Sequence, residues 1–97
     1  MNIQALMKQA QSLQKDMMKA KEEIDNTLFT GSNSFVTVKV NGKKEVLDIK
    51  IDTDSVDKDD IEMLQDILMV ALNNAFFEVD KVTEQKMSKY ANIPGLF

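Results

Sequence analysis

The chain has 97 residues, 43% hydrophobic and 29% charged, with a formal net charge of −4; this describes a single soluble globular domain with a modest core rather than a disordered segment. It has no Cys, His, Trp or Arg, so the usual nucleophile, neutral-pH base and transition-metal ligands are missing, and no enzyme, cofactor, metal or small-molecule substrate is expected. No apolar run reaches the ~20 residues of a membrane span and no signal-peptide pattern opens the chain, so a cytoplasmic protein without a membrane partner is expected.

The first predicted element is a helix over residues 2–25, rich in Lys, Gln, Met, Ala and Leu and free of Gly and Pro. Ile3, Ala10, Met17 and Ile24 recur at seven-residue intervals, with Leu6, Leu13 and Ala20 three residues beyond them, forming a heptad seam. Asn26 and Thr27 compete with helical hydrogen bonding and end it. A short strand over 27–30 precedes the turn residues Gly31-Ser32-Asn33-Ser34.

Two further strands, over 35–41 and 44–52, follow from alternation: Val36, Val38 and Val40, then Leu47, Ile49 and Ile51. Asn41-Gly42 marks their turn. A four-residue loop, Asn41 to Lys44, sets Val38 opposite Leu47 and Val36 opposite Ile49. A two-residue loop sets Val38 opposite Glu45, and a three-residue loop would swap the faces.

The second long helix is predicted over 57–90, capped by Asp57, with Asp59, Asp60 and Glu62 where the helix dipole favours anions. It stops before Ile93-Pro94-Gly95, leaving an apolar tail over 91–97 that is expected to be flexible. The order describes an α+β domain spanning 1–97: a long helix, a small antiparallel sheet of two to three strands, and a long helix.

The second helix carries more apolar surface than one sheet can cover. One stripe runs through Ile61, Leu64, Leu68, Ala71, Ala75 and Val82. Another, about 110° away, runs through Met63, Ile67, Val70 and Phe77. The second stripe is therefore expected to be the interface of a homodimer.

Charge is unevenly placed. Residues 1–21 carry Lys8, Lys15, Lys19 and Lys21 against Asp16, whereas residues 52–66 carry seven acidic side chains against Lys58. If the helices pack antiparallel with Ile24 near Ile61 and Ile3 near Val82, Lys8 and Lys15 neighbour Lys81, Lys86 and Lys89. That arrangement has a basic tip and an acidic base. The acidic run does not fit a calcium loop: counted from Asp52, the sixth position is Asp57 rather than Gly and the twelfth is Met63 rather than Glu. A solvated helix start explains it more simply. The Lys residues likewise have a bland alternative, as a solvated face and C-terminal dipole partners.

Taken in order, several segments resemble the YbaB/EbfC family of bacterial nucleoid-associated proteins. They are Leu6-Met7-Lys8-Gln9-Ala10-Gln11, Val36-Thr37-Val38-Lys39-Val40-Asn41-Gly42, Glu45 through Asp52, Glu62-Met63-Leu64-Gln65-Asp66, Ala71-Leu72-Asn73-Asn74-Ala75, Gln85-Lys86-Met87 and Pro94-Gly95-Leu96-Phe97. The resemblance implies a helix–sheet–helix subunit, a tweezer-shaped homodimer, and binding to duplex DNA that alters its conformation in the nucleoid. It assigns DNA contacts to projecting helices, which here carry Lys8, Lys15, Lys19, Lys86 and Lys89. The chain departs from the family pattern at Ser32-Asn33-Ser34-Phe35, where many relatives are Gly-rich, and at Phe76-Phe77, where relatives often carry basic residues. Lysine lacks arginine's bidentate fork, so phosphate contacts with weak sequence selectivity are expected. The rival expectation is a protein-interaction module that uses the acidic base or the apolar tail, with incidental DNA binding.

Overall fold

The computed structural model describes residues 2–90. Helix α1 spans Ile3–Asp25, strands β1, β2 and β3 span Phe29–Asn33, Val36–Val40 and Val46–Ile51, and helix α2 spans Ile61–Met87. Short 3-10 turns occupy Thr53–Ser55 and Ser88–Tyr90. The sheet is antiparallel in the order β1-β2-β3, so the expected α+β order of helix, small sheet and helix is observed. The apolar tail expected over 91–97 lies outside the described residues.

Side chains explain the helix ends. Asn2 caps α1 by accepting a hydrogen bond from the Gln4 N–H at 3.0 Å. At the other end the Thr27 hydroxyl donates to the Glu23 carbonyl at 2.6 Å, and the Asn26 N–H donates to the Glu22 carbonyl. Asp60, not Asp57, caps α2: its carboxylate accepts from the Met63 N–H at 3.1 Å. Asp57 instead closes the preceding turn by accepting from the Asp59 N–H at 2.9 Å. Both are sound Asx acceptors three residues apart, so residue type alone does not separate them.

The β2–β3 register differs from expectation. Val38 pairs with Ile49 and Val36 with Ile51, two residues past the expected partners. Leu47 is an extra residue, because Val40 pairs with Val46 while Lys39 pairs with Asp48. A shift of two leaves every side chain on its expected face, so alternation cannot detect it. The connection is longer than expected because Asn41 organises it. Its side-chain oxygen accepts from the Lys43 and Glu45 N–H groups, both at 3.0 Å, and Lys44 takes a left-handed φ of 63°.

The core lies between α2 and the first two strands. Val36, Val38 and Val40 are fully buried and pack with Ile24, Phe29, Ala71, Ala75 and Val79. Each valine contributes roughly 1.5–3 kcal/mol by leaving water. The backbones of β1 and α2 approach closely at Gly31, where a side-chain carbon would overlap the Ala75 nitrogen and the Ala71 carbonyl oxygen. Small residues on both sides make that approach possible. Asn74 donates to the Ser32 carbonyl at 3.1 Å, and Asn33 donates to the Ile67 carbonyl at 3.4 Å. The first apolar stripe of α2 therefore faces the sheet, with Leu64, Leu68 and Val82 packed at its margins.

The helix pairing differs most from expectation. Ile24 does not lie near Ile61, and Ile3 does not pack on Val82. Ile24 instead shares a groove with Thr83 and Met87 near the end of α2. The strand count gives the reason. α1 enters at the Phe29 end of the sheet; three strands later the chain leaves at the opposite end, where Asn33, Val36 and Ile51 are paired. α2 then runs back over the sheet and meets only the root of α1. Most of α1 projects past it, and Ile24 is its only buried residue. Ile3 and Leu6, at the far end of the seam, are 71% and 47% exposed. The molecule measures 72 × 19 × 13 Å with a radius of gyration of 19.5 Å, against about 12–13 Å for a compact chain of this length.

Candidate nucleic-acid interface

α1 presents its lysines on a projecting arm. Lys15, Lys19 and Lys21 border an open groove of about 1350 Å³ whose apolar floor includes Met17, Met18 and Ile24. Thr83 and Met87 of α2 close the other side. Lys86 stands next to Met87 at the end of α2, and Lys89 follows in the 3-10 turn with its Nζ 5.1 Å from the centroid of the Tyr90 ring. The structure thus brings Lys15 and Lys19 to the end of α2 that carries Lys86 and Lys89. Lys8 stands apart, about 10 Å further out along α1 than Lys15.

All five side chains are exposed. Among the described residues one ion pair forms, Lys44 to Asp80 at 2.8 Å, so none of the five is held by a carboxylate. Their ammonium groups face water on one slender end of the molecule. Polyanion phosphates can displace that water and the associated counterions at little cost in protein reorganisation.

The acidic residues before α2 do local work. Asp52 accepts from the Asp54 N–H at 3.2 Å and from the Ser55 hydroxyl at 3.0 Å, while Asp57 and Asp60 cap the turns that follow. Among the described residues no group of carboxylates is placed to hold a metal ion. This acidic segment leads into the start of α2, and the α1 arm projects beyond the other end of that helix. The acidic run before α2 is therefore separated from the arm's lysines along the long axis, through a helix arrangement different from the one expected, while Glu22 and Asp25 border the groove itself.

Of the residues expected at a homodimer interface, Met63, Val70 and Phe77 are 39%, 46% and 64% exposed. Ile67 is half-buried and packs against the core, so it belongs mainly to the subunit interior. Phe76 is also packed against the core, leaving Phe77 as the exposed member of the pair. A second apolar surface was not anticipated from the sequence. Val46, Leu47 and Ile49 of β3 are 43%, 54% and 43% exposed, because α2 covers β1 and β2 and leaves the third strand open. Alternation marks which residues share a sheet face, but not whether a helix reaches the last strand.

The model of the YbaB/EbfC DNA-binding family matches residues 1–93 of the chain. A nucleoid-associated protein of Ligilactobacillus salivarius is 44% identical over 99 residues, covering 99% of this chain and 95% of the relative. One from Clostridium novyi is 47% identical over 102 residues, covering 100% of this chain and 90% of the relative. The crystal structure of an uncharacterized protein from Helicobacter pylori has the same fold, with a TM-score of 0.75 and 25% identity, covering 93% of this chain and 97% of that one. By the family match and these full-length relatives, the chain belongs to the YbaB/EbfC DNA-binding family.

Proposed function

We propose that the protein acts in the bacterial nucleoid as a homodimer that grips duplex DNA through phosphate contacts, with low sequence selectivity, and changes the conformation of the DNA it holds. Lys8, Lys15, Lys19, Lys86 and Lys89 make the contacts. The observation that carries this reading is the projecting α1 arm, whose lysines have no carboxylate partner among the described residues, in a chain of a DNA-binding family. Point charges on one face position a protein on phosphates and carry little base information. Dimerisation through Met63, Val70 and Phe77 is supported by the exposure of that stripe, with Ile67 at its inner margin. Two arms in one dimer then form a tweezer, with effects on gene expression following from the DNA conformation it imposes.

Titrating the protein into two unrelated duplexes at several salt concentrations tests this directly. Comparable binding to both, falling steeply with salt, is expected. Replacing Lys8, Lys15 and Lys19 together by Gln is expected to weaken both complexes equally and flatten the salt slope by about 0.9 per lost phosphate contact. A loss confined to one sequence contradicts phosphate gripping. Absence of binding at low salt favours the protein-interaction reading instead.

A further inference from the structure

α1 is joined to the rest of the subunit at its last turns. Ile24 is buried there, and the hairpin turn between β2 and β3 presses against the backbone around it. A side-chain carbon on Gly42 would overlap the Ile24 carbonyl and stand 2.8 Å from the Asp25 nitrogen, where ordinary contact begins at 3.4 Å. The obstructing atoms are backbone, so no rotamer change can make room. Either the helix end or the turn must move.

The turn is poorly suited to moving. Asn41 accepts from two of its N–H groups and donates to the Glu45 carboxylate at 3.1 Å, closing a small internal network. Lys44 extends from the same turn to Asp80 of α2, with Nζ 2.8 Å from the carboxylate. One side of the turn is thus braced on α2, and the other bears on the root of α1.

We infer that the β2–β3 turn is the joint that aims the α1 arm, and that Gly42 is the positioning residue holding the arm's lysines at a fixed span from those at the end of α2. The functional part rests on reading α1 as a DNA-gripping arm; the joint itself does not. The 23 residues of α1 make a lever of about 34 Å. Opening the root by about 1 Å to admit a methyl group swings the far end by roughly 5 Å. That displacement carries Lys8 from one phosphate position toward the next.

The protein has no Cys, so paired cysteines can be introduced for spin labelling without background. Met7→Cys on the arm with Asp66→Cys on α2 measures the arm angle; Thr30→Cys with Asp66→Cys reports the sheet–helix body. Labelled chains are refolded with excess unlabelled protein so that intramolecular distances dominate. Gly42→Ala is expected to shift the arm distance by up to about 2 Å, because the label pair lies mainly along the 72 Å axis and the swing runs across it, leave the body distance unchanged, and weaken binding to a duplex oligonucleotide several-fold. An unchanged arm distance in folded Gly42→Ala overturns the inference. If that variant does not fold, Asp80→Asn releases the brace without adding bulk and is expected to broaden the arm-distance distribution alone. An unchanged width then overturns the joint. Wild-type protein that binds no DNA overturns the proposed function while leaving the distance test intact.

Discussion

Gly31 shows how much one missing side chain permits. Its contact with the Ala71–Ala75 segment is backbone on backbone, so Gly31→Ala forces β1 and α2 apart across the centre of the core. Overpacking of this kind costs about 1–3 kcal/mol, and a correspondingly lower midpoint is expected in urea unfolding with little change in slope. Asp60 offers a contrast at the surface. Asp60→Ala removes the hydrogen bond to the Met63 N–H and is expected to cost about 1 kcal/mol; Asp57→Ala, outside the helix, should cost less. Comparing the two midpoints identifies the residue that starts α2. The sequence points to Asp57 as the cap and to Asp60 as a first-turn anion, and the turn geometry gives the cap to Asp60 and the preceding turn to Asp57. The expectation of a strand over 27–30 with Gly31 in the following turn is corrected by the structure, where Gly31 lies inside β1 and pairs with Val38; its close approach to α2 depends on a helix distant in sequence.

At the scale of elements, the strands and helices were legible because their patterns are strong: three alternating valines in β2, and two helices uninterrupted by Gly or Pro. Register was not, since a shift of two conserves the faces. The helix contact was missed because it depends on strand parity, which reverses when a third strand is counted as part of the path between the helices. The exposed apolar faces of β3 and α2 lead to an element-scale prediction. Phe77→Glu places a charge on the most exposed part of the α2 stripe, where the side chain is 64% exposed, so little strain in the subunit is expected. In sedimentation it should shift the proposed dimer toward monomer while far-UV circular dichroism is preserved. A matching Leu47→Glu variant asks whether β3 belongs to the same interface. Dissociation by both variants indicates one continuous surface; dissociation by Phe77→Glu alone restricts the interface to α2.

For the whole molecule, shape and charge reinforce each other. A compact chain of this size could not keep lysines and carboxylates far apart. A 72 Å molecule sets the acidic run before α2 apart from the arm's lysines by more than the screening length of about 8–10 Å at ordinary ionic strength, although Glu22 and Asp25 line the groove beside Lys15 and Lys19. The net charge of −4 therefore does not describe the field at the arm, where a phosphate backbone would meet cations first. The five candidate lysines were visible in the sequence, but their grouping depends on where α1 crosses the end of α2. Sequence arithmetic placed Lys8 and Lys15 beside Lys81, Lys86 and Lys89, whereas the structure keeps Lys15 at that end of α2, adds Lys19 and leaves Lys8 further out. Single Lys→Gln substitutions should consequently divide into two classes. Lys15 and Lys19 variants are expected to weaken binding to short duplexes, whereas a Lys8 variant is expected to matter only when the duplex is long enough to reach the arm's outer turns.

The burial of α1 at only Ile24 also predicts a kinetic consequence. A helix of about 15 residues without tertiary support is marginal in water, and the turns of α1 from Ile3 to Leu13 approach that condition. Their amide hydrogens should exchange by local fraying, orders of magnitude faster than those of Val36, Val38 and Val40, which await global unfolding. The arm would then carry its own thermometer: any ligand seated on it, DNA included, would register as slowed exchange in those turns while the valine strand kept its native rate.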